Sequence, residues 1–324
     1  MAKLAIFLTL LYAAYARLSK EIPKYARGGA AYARQSYSSV QSTPYTWNAK
    51  IDNFNASDSS TFQQRYYIND QYWGKDPASP IFFEIGGEGT LSGPPGGYVA
   101  TLGQQYSALL ISLEHRFYGN SIPNNNFETA NLKYLTVDQA LADLASFTKW
   151  FTDAHNISKS AKWFVFGGSY PGALSSWYRF KYPEMSVGSL SSSGVVNCIV
   201  DYYQFDQQVS AAIGNECADQ VKRINAAFER KISTPQGWQD ALAQFQCEND
   251  MWTQDFFYMI ADAWSMMDQY NSKALLCDTV LAVGEDASDE VLMQTFATLT
   301  NQFWGKDFCA GGFCKLIYHH HHHQ

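Results

Sequence analysis

The sequence predicts an α/β fold followed by an all-helical segment, and three observations carry that reading. Short apolar runs bounded by Gly, Pro, Asn and Asp recur between residues 45 and 195, with a segment of helical apolar spacing among them. The glycine-rich hexapeptide Gly167-Gly168-Ser169-Tyr170-Pro171-Gly172 directly follows one of these runs and precedes a helix-like stretch. From about residue 196 the apolar spacing is helical, and no convincing strand interrupts it.

The elements follow in order. Residues 1–16 begin Met1-Ala2-Lys3, continue as an apolar stretch from Leu4 to Ala14 and end in the small-x-small pattern Ala14-Tyr15-Ala16. They are read as a secretory signal peptide, because the stretch falls short of the roughly 20 residues that span a bilayer. Residues 17–44, rich in Ser, Ala, Tyr and Arg without sustained period, suit a flexible or propeptide-like lead. Order is expected from Tyr45. Tyr66 to Ile68, Pro80 to Ile85, Ala108 to Glu114, Trp163 to Phe166 and Val187 to Leu190 are read as strands. Val137 to Thr152 carries Val137, Leu141, Leu144, Ala145 and Phe147 at helical spacing, with Thr136 placed to cap it. Ala173 to Tyr182 is the helix after the hexapeptide. Beyond it, Cys217 to Lys231, Trp238 to Phe245, Met251 to Tyr270 and Asp289 to Thr300 read as helices.

A chain of 324 residues with 46% hydrophobic and 16% aromatic content can bury a large core. Its formal charge of -7 becomes -8 if residues 1–16, whose only charged side chain is Lys3, are removed. No basic cluster offers phosphate contacts, so nucleic acid is not an expected partner. The cysteines Cys198, Cys217, Cys247, Cys277, Cys309 and Cys314 all follow Ser169. In a secreted chain they are disulfide candidates rather than metal ligands, and spacing alone fixes no pairing. No metal or cofactor is expected. Asn55-Ala56-Ser57 and Asn156-Ile157-Ser158 are glycosylation sequons. The histidines at 319–323 form a tag-like tail over residues 319–324.

The hexapeptide carries the chemistry. A serine on a tight strand-to-helix turn is exposed as a nucleophile, and the turn needs small neighbours where strand and helix backbones approach. Gly167 and Gly168 meet that need, but the generic pattern would place glycine at position 171, where this chain has Pro171 followed by Gly172. The backbone N–H of Tyr170 is one expected oxyanion donor, and the turn Gly86-Gly87-Glu88-Gly89 offers a second at Gly87 or Glu88. Glu88 is also a candidate pocket residue, fit to bind a substrate terminus or to hold the turn.

Taken in order, Gln64-Arg65-Tyr66, Asn69-Asp70, Ile85-Gly86-Gly87-Glu88-Gly89, Glu114-His115-Arg116-Phe117-Tyr118-Gly119 and the Ser169 hexapeptide resemble the prolyl carboxypeptidase family of serine peptidases. That family includes Pro-Xaa carboxypeptidases, dipeptidyl peptidases and thymus-specific serine protease. The resemblance is clear over residues 45–195 and weaker beyond. It implies an α/β-hydrolase core, of which 45–195 is the first part, with an inserted helical cap at 196–318 and the C-terminal strands missing. It further implies a secreted or lysosomal serine exopeptidase acting on peptide substrates through an acyl-enzyme at Ser169, and it is compatible with a homodimer formed through the cap. His115 takes a structural or pocket-lining role by the same resemblance. Glu114 and Arg116 would form either a buried pair supporting the turn or an ordinary solvated pair.

A serine hydroxyl needs a general base, and α/β-hydrolases supply acid and histidine after the serine. Between Ser169 and Tyr318 there is no histidine, and His115 and His155 precede the serine. His155 reads as a surface residue. The catalytic Asp and His are therefore not identified. This leaves a second expectation, a non-catalytic truncated product or pseudoenzyme that keeps the elbow. A third, another serine hydrolase of esterase or lipase type, is disfavoured by Pro171 and the accompanying motifs.

Overall fold

A computed structural model describes residues 43–77, 79–247, 251–304 and Cys309. The expected signal peptide, nearly all of the lead segment, Cys314 and the histidine tail lie outside the described residues. The chain divides into two compact units, one running to Cys198 and the other starting at Ile199.

The first unit is built on a six-stranded sheet of order β1-β2-β4-β3-β5-β6. Its strands are β1 (Tyr45–Lys50), β2 (Thr61–Asn69), β3 (Ile81–Ile85), β4 (Leu109–Leu113), β5 (Trp163–Gly168) and β6 (Gly188–Ser192). β1 pairs antiparallel with β2, and β2 with β4, whereas β4, β3, β5 and β6 run parallel. Parallel strands need covered faces, and β4 accordingly reads as an unbroken buried run, Leu-Leu-Ile-Ser-Leu. On one face Ile81, Phe83, Ile111 and Val165 pack with residues of helices α3 (Val137–Ala154) and α4 (Tyr170–Lys181), including Leu144, Phe147, Phe151, Leu174 and Tyr178. On the other, Phe82, Leu110 and Phe166 meet Val99 and Leu102 of α1 (Gly97–Gln105). A short α2 (Thr129–Leu132) precedes α3. This mixed sheet, with helices on both faces and a sharp turn after β5, is an α/β-hydrolase fold.

The expected strands all form, as does the helix from Val137, whose Thr136 side chain accepts from Gln139 N–H. β1 and α1 were not foreseen. β1 buries only Trp47 and Ala49 among its six residues. α1 carries Gly103, where a Cβ would come within 2.6 Å of Leu110, so close packing requires a residue of poor helix propensity.

The second unit is helical: α5 (Tyr203–Ile213), α6 (Asn215–Lys231), α7 (Pro235–Gln244), α8 (Thr253–Gln269), α9 (Lys273–Leu281) and α10 (Asp289–Trp304). Phe228, Phe245, Phe256, Met259 and Phe296 form its centre, with Trp264 stacked on Phe296 at 3.8 Å. Disulfides join Cys217 to Cys277 and Cys247 to Cys309, across sequence separations of 60 and 62. Cys198 is an exposed free thiol among the described residues, and Cys314, the other remaining disulfide candidate, lies outside them. Closing loops of this length stabilises chiefly by restricting the unfolded chain. Changing Cys217 and Cys277 together to serine is expected to cost about 2–4 kcal/mol in equilibrium urea unfolding.

Candidate active site

Ser169 sits between the last residue of β5 and the first of α4, with φ 58° and ψ −126°. That backbone conformation is rare for any residue but glycine. Two backbone hydrogen bonds hold it: Ser169 N–H donates to Ser192 O of β6 at 2.9 Å, and Ala173 N–H donates to Ser169 O at 3.0 Å. The side chain itself is exposed and does not cap the helix. A Cβ on Gly167 would collide with the Pro171 carbonyl, and one on Gly172 would sit 2.9 Å from Ser192 O. Small residues are thus required on both sides of the serine, and the second requirement has moved one position along, to 172.

Pro171 is accommodated from outside the turn. Gly87, on the loop after β3, faces it so closely that a Cβ there would lie 2.5 Å from Pro171 Cγ. Proline also suits the first turn of α4, where no backbone N–H is needed for the helix ladder. The glycine turn and the serine turn are therefore neighbours in space, 82 positions apart in the sequence. Tyr170, as first residue of α4, has no carbonyl within the helix for its N–H.

The Tyr170 side chain turns to His115. His115 Nδ1 lies 2.7 Å from the Arg116 carbonyl and Nε2 lies 3.0 Å from the Tyr170 hydroxyl. A carbonyl only accepts, so Nδ1 carries the proton and Nε2 accepts from Tyr170. Burial drives the imidazole down to about 4, with the Arg116 backbone bond opposing, so the ring is neutral. Burial also raises the Tyr170 phenol. With both nitrogens committed, His115 holds Tyr170 in place and has no free nitrogen for the serine.

Glu114 and Arg116 are both buried, but they do not pair with each other. Glu114 forms an ion pair with Arg65 of β2 at 3.1 Å. It also accepts from Leu91 N–H at 3.0 Å, Asn120 N–H at 3.2 Å and the Ser121 hydroxyl at 2.6 Å. Arg65 Nη2 and the Tyr67 hydroxyl in turn donate to Leu91 O, at 2.7 and 3.0 Å. The loop after β3, which carries Gly87 and Glu88, is therefore anchored at Leu91 by both backbone groups. Desolvation raises the Glu114 carboxyl, while its donors and Arg65 pull it down. Arg116 pairs with Asp143 of α3, a partner not singled out from the sequence. The signal for it was a carboxylate among Ala140, Leu144 and Phe147 on the apolar side of α3.

Glu88 is 5% exposed, and burial lifts its carboxyl to about 7, opposed by a bond from its own N–H. His155 is exposed just beyond α3 and stacks on Phe151 at 4.1 Å. Phe151 in turn contacts Trp163, the first residue of β5. That is the opposite end of the strand from Ser169. Asn55 and Asn156 are both exposed. Among the described residues no three His, Cys, Asp or Glu side chains group as metal ligands, and no helix is long and apolar enough to cross a membrane.

Several known proteins are similar to this chain over much of its length. A serine protease of Arabidopsis thaliana named "Probable serine protease EDA2" is 37% identical over 270 residues, covering 80% of this chain and 54% of that protein. The thymus-specific serine protease of Homo sapiens is 42% identical over 204 residues, 59% of this chain and 39% of that one. The lysosomal Pro-X carboxypeptidase of Homo sapiens is 30% identical over 235 residues, 66% and 46% respectively. The chain thus spans about half the length of the curated relatives it matches. Residues 49–301, which hold strands β2 to β6, the Ser169 turn and most of the helical unit, match the family described as serine carboxypeptidase S28. The chain belongs to the serine carboxypeptidase S28 family.

Proposed function

We propose that this protein is a serine-type exopeptidase of the secretory pathway that cleaves peptides at proline through an acyl-enzyme on Ser169. The observation that carries the proposal is the Ser169 backbone, held in a strained turn directly against the Gly87 loop. With a general base to take its proton, a group that no histidine of residues 170–318 supplies, Ser169 Oγ adds to the scissile carbonyl, and collapse of the adduct breaks the C–N bond and expels the amine, which takes up that proton. The N–H groups of Tyr170 and Gly87 receive the developing oxyanion, which fixed donors stabilise more in the transition state than in the ground state. His115 acts at one remove, by fixing the Tyr170 side chain.

A second reading is an elbow that binds peptide without turning it over, and one observation favours it: residues 170–318 contain no histidine. Labelling with a fluorophosphonate, followed by mass spectrometry of the modified peptide, separates the two. The hydrolase reading expects stoichiometric modification at Ser169, together with hydrolysis of a post-proline peptide. Absence of both, with peptide binding retained, selects the second reading.

A further inference from the structure

The Ser169 turn depends on a carbonyl that belongs to a thinly covered edge strand. β6 stands last in the sheet, with β5 its one neighbour among the described residues, and Ser189 to Ser192 are exposed. Yet Ser192 O of this strand accepts from Ser169 N–H at 2.9 Å. A serine backbone at φ 58° and ψ −126° persists only where its surroundings over-determine it. If β6 shifts, one of the two bonds that hold Ser169 is lost. The support for β6 comes from α4. Ser175 of that helix is fully buried, and its Oγ lies 2.8 Å from Gly172 O and 2.9 Å from Leu190 O. Carbonyls only accept, so the one hydroxyl proton is shared between them. The Gly172 bond stays within the helix, whereas the Leu190 bond crosses to β6.

We infer that Ser175 is a positioning residue for Ser169: by tying α4 to Leu190 O, it holds the end of β6 where Ser192 O meets the Ser169 N–H. The register places that tie close to its effect. Leu190 faces Phe166 of β5, and Ser192 faces Gly168, the residue before Ser169. Close packing completes the restraint on the far side of the tie. A Cβ on Gly172 would lie 2.9 Å from Ser192 O and 3.1 Å from Gly194 Cα, so the first turn of α4 rests directly on the end of β6. The placement stands on these hydrogen bonds and contacts, while its bearing on acylation rests on the reading of Ser169 as nucleophile. Ser176 provides an internal comparison. It is half-buried in the same turn and makes no such bond among the described residues. Serine to alanine favours a helix at either position, so loosening in Ser175→Ala comes from the lost bonds and not from a weaker α4.

The test is amide hydrogen exchange of the full chain, resolved to single residues by mass spectrometry, in Ser175→Ala and Ser176→Ala. In Ser175→Ala the Ser169 N–H is expected to exchange about tenfold faster. Glu114 N–H, bonded to Arg65 O of β2 at 2.9 Å, should keep its rate. Ser176→Ala should change neither. Fluorophosphonate labelling gives a second readout. Ser175→Ala should lower its maximal rate by roughly tenfold at an unchanged half-saturating concentration, since a displaced nucleophile reacts more slowly without weakening capture of the reagent. Unchanged exchange at Ser169, equal acceleration at Glu114, the same effect from Ser176→Ala, or an unchanged labelling rate overturns the inference. If the unmodified chain does not label either, the reading of Ser169 as nucleophile fails, and the exchange rates still decide whether Ser175 holds the turn.

Discussion

Replacing Arg116 by methionine is expected to destabilise the protein by about 3–5 kcal/mol, the cost of breaking a buried ion pair from one side. The reason lies in how completely the guanidinium is used. Its side chain has no exposure, and all five N–H donors are taken. Nε and Nη2 grip the two Asp143 oxygens, each at 2.7 Å. Nη2 also reaches Lys50 O at 3.1 Å, while Nη1 reaches Ile51 O at 3.1 Å and Tyr134 O at 3.0 Å. One side chain thus ties the end of β1, the approach to α3, α3 itself and the segment after β4. Methionine would keep much of the volume against Phe62 but leave Asp143 with only the Asn53 amide, at 2.8 Å, and three carbonyls without this donor. Adding Asp143→Leu should recover part of the loss, since an apolar pair of similar volume often matches a buried ion pair. The three carbonyls would remain unpaired, so recovery should stop short of wild type. Urea unfolding of the single and double variants measures both quantities. A loss below about 1 kcal/mol for Arg116→Met would show that water replaces the guanidinium at little cost.

The difference between what the sequence discloses and what it withholds follows the range of the interactions. Trp163 to Phe166 reads as a strand and Val137 to Thr152 as a helix because their signals are local, a buried apolar run in one and a 3.6-residue period in the other. The Ser169 turn is legible for the same reason, since its glycines lie within three positions of the serine. β1 is hard to see because an edge strand buries one face, here only Trp47 and Ala49. α1 hides behind Gly103, which is chosen for contact with Leu110 rather than for helix propensity. Pairings between distant positions carry no local signal. Arg116 finds Asp143, Glu114 finds Arg65, and Cys217 finds Cys277 across 60 positions. Pro171 reads as a flaw in the hexapeptide until Gly87 is seen against its ring. The missing partner of the serine is of another kind: no reading of residues 170–318 could place an imidazole there, because those residues contain none.

Ser169→Ala and Ser169→Gly should be equally inert but unequal in stability. Both remove Oγ, so both should lose fluorophosphonate labelling and, with it, catalysis by a factor on the order of 10⁶ in kcat where the nucleophile acts as one unit with its base. Stability separates them through the backbone. At φ 58° and ψ −126° a Cβ is strained, a conformation that costs about 1–3 kcal/mol for a non-glycine residue. Alanine retains that strain and glycine releases it, against an unfolded-chain entropy cost of roughly 0.5–1 kcal/mol for glycine. The glycine variant should therefore be the more stable by about 1 kcal/mol, read from urea midpoints at equal slope. If alanine proves the more stable, the hydrogen bonds from Ser169 N–H to Ser192 O and from Ala173 N–H to Ser169 O hold the turn without appreciable strain. The expected order has a functional meaning. A protein that holds a serine where glycine would be more stable gives up stability at that one position, and the group it gains there is an exposed hydroxyl at the end of β5.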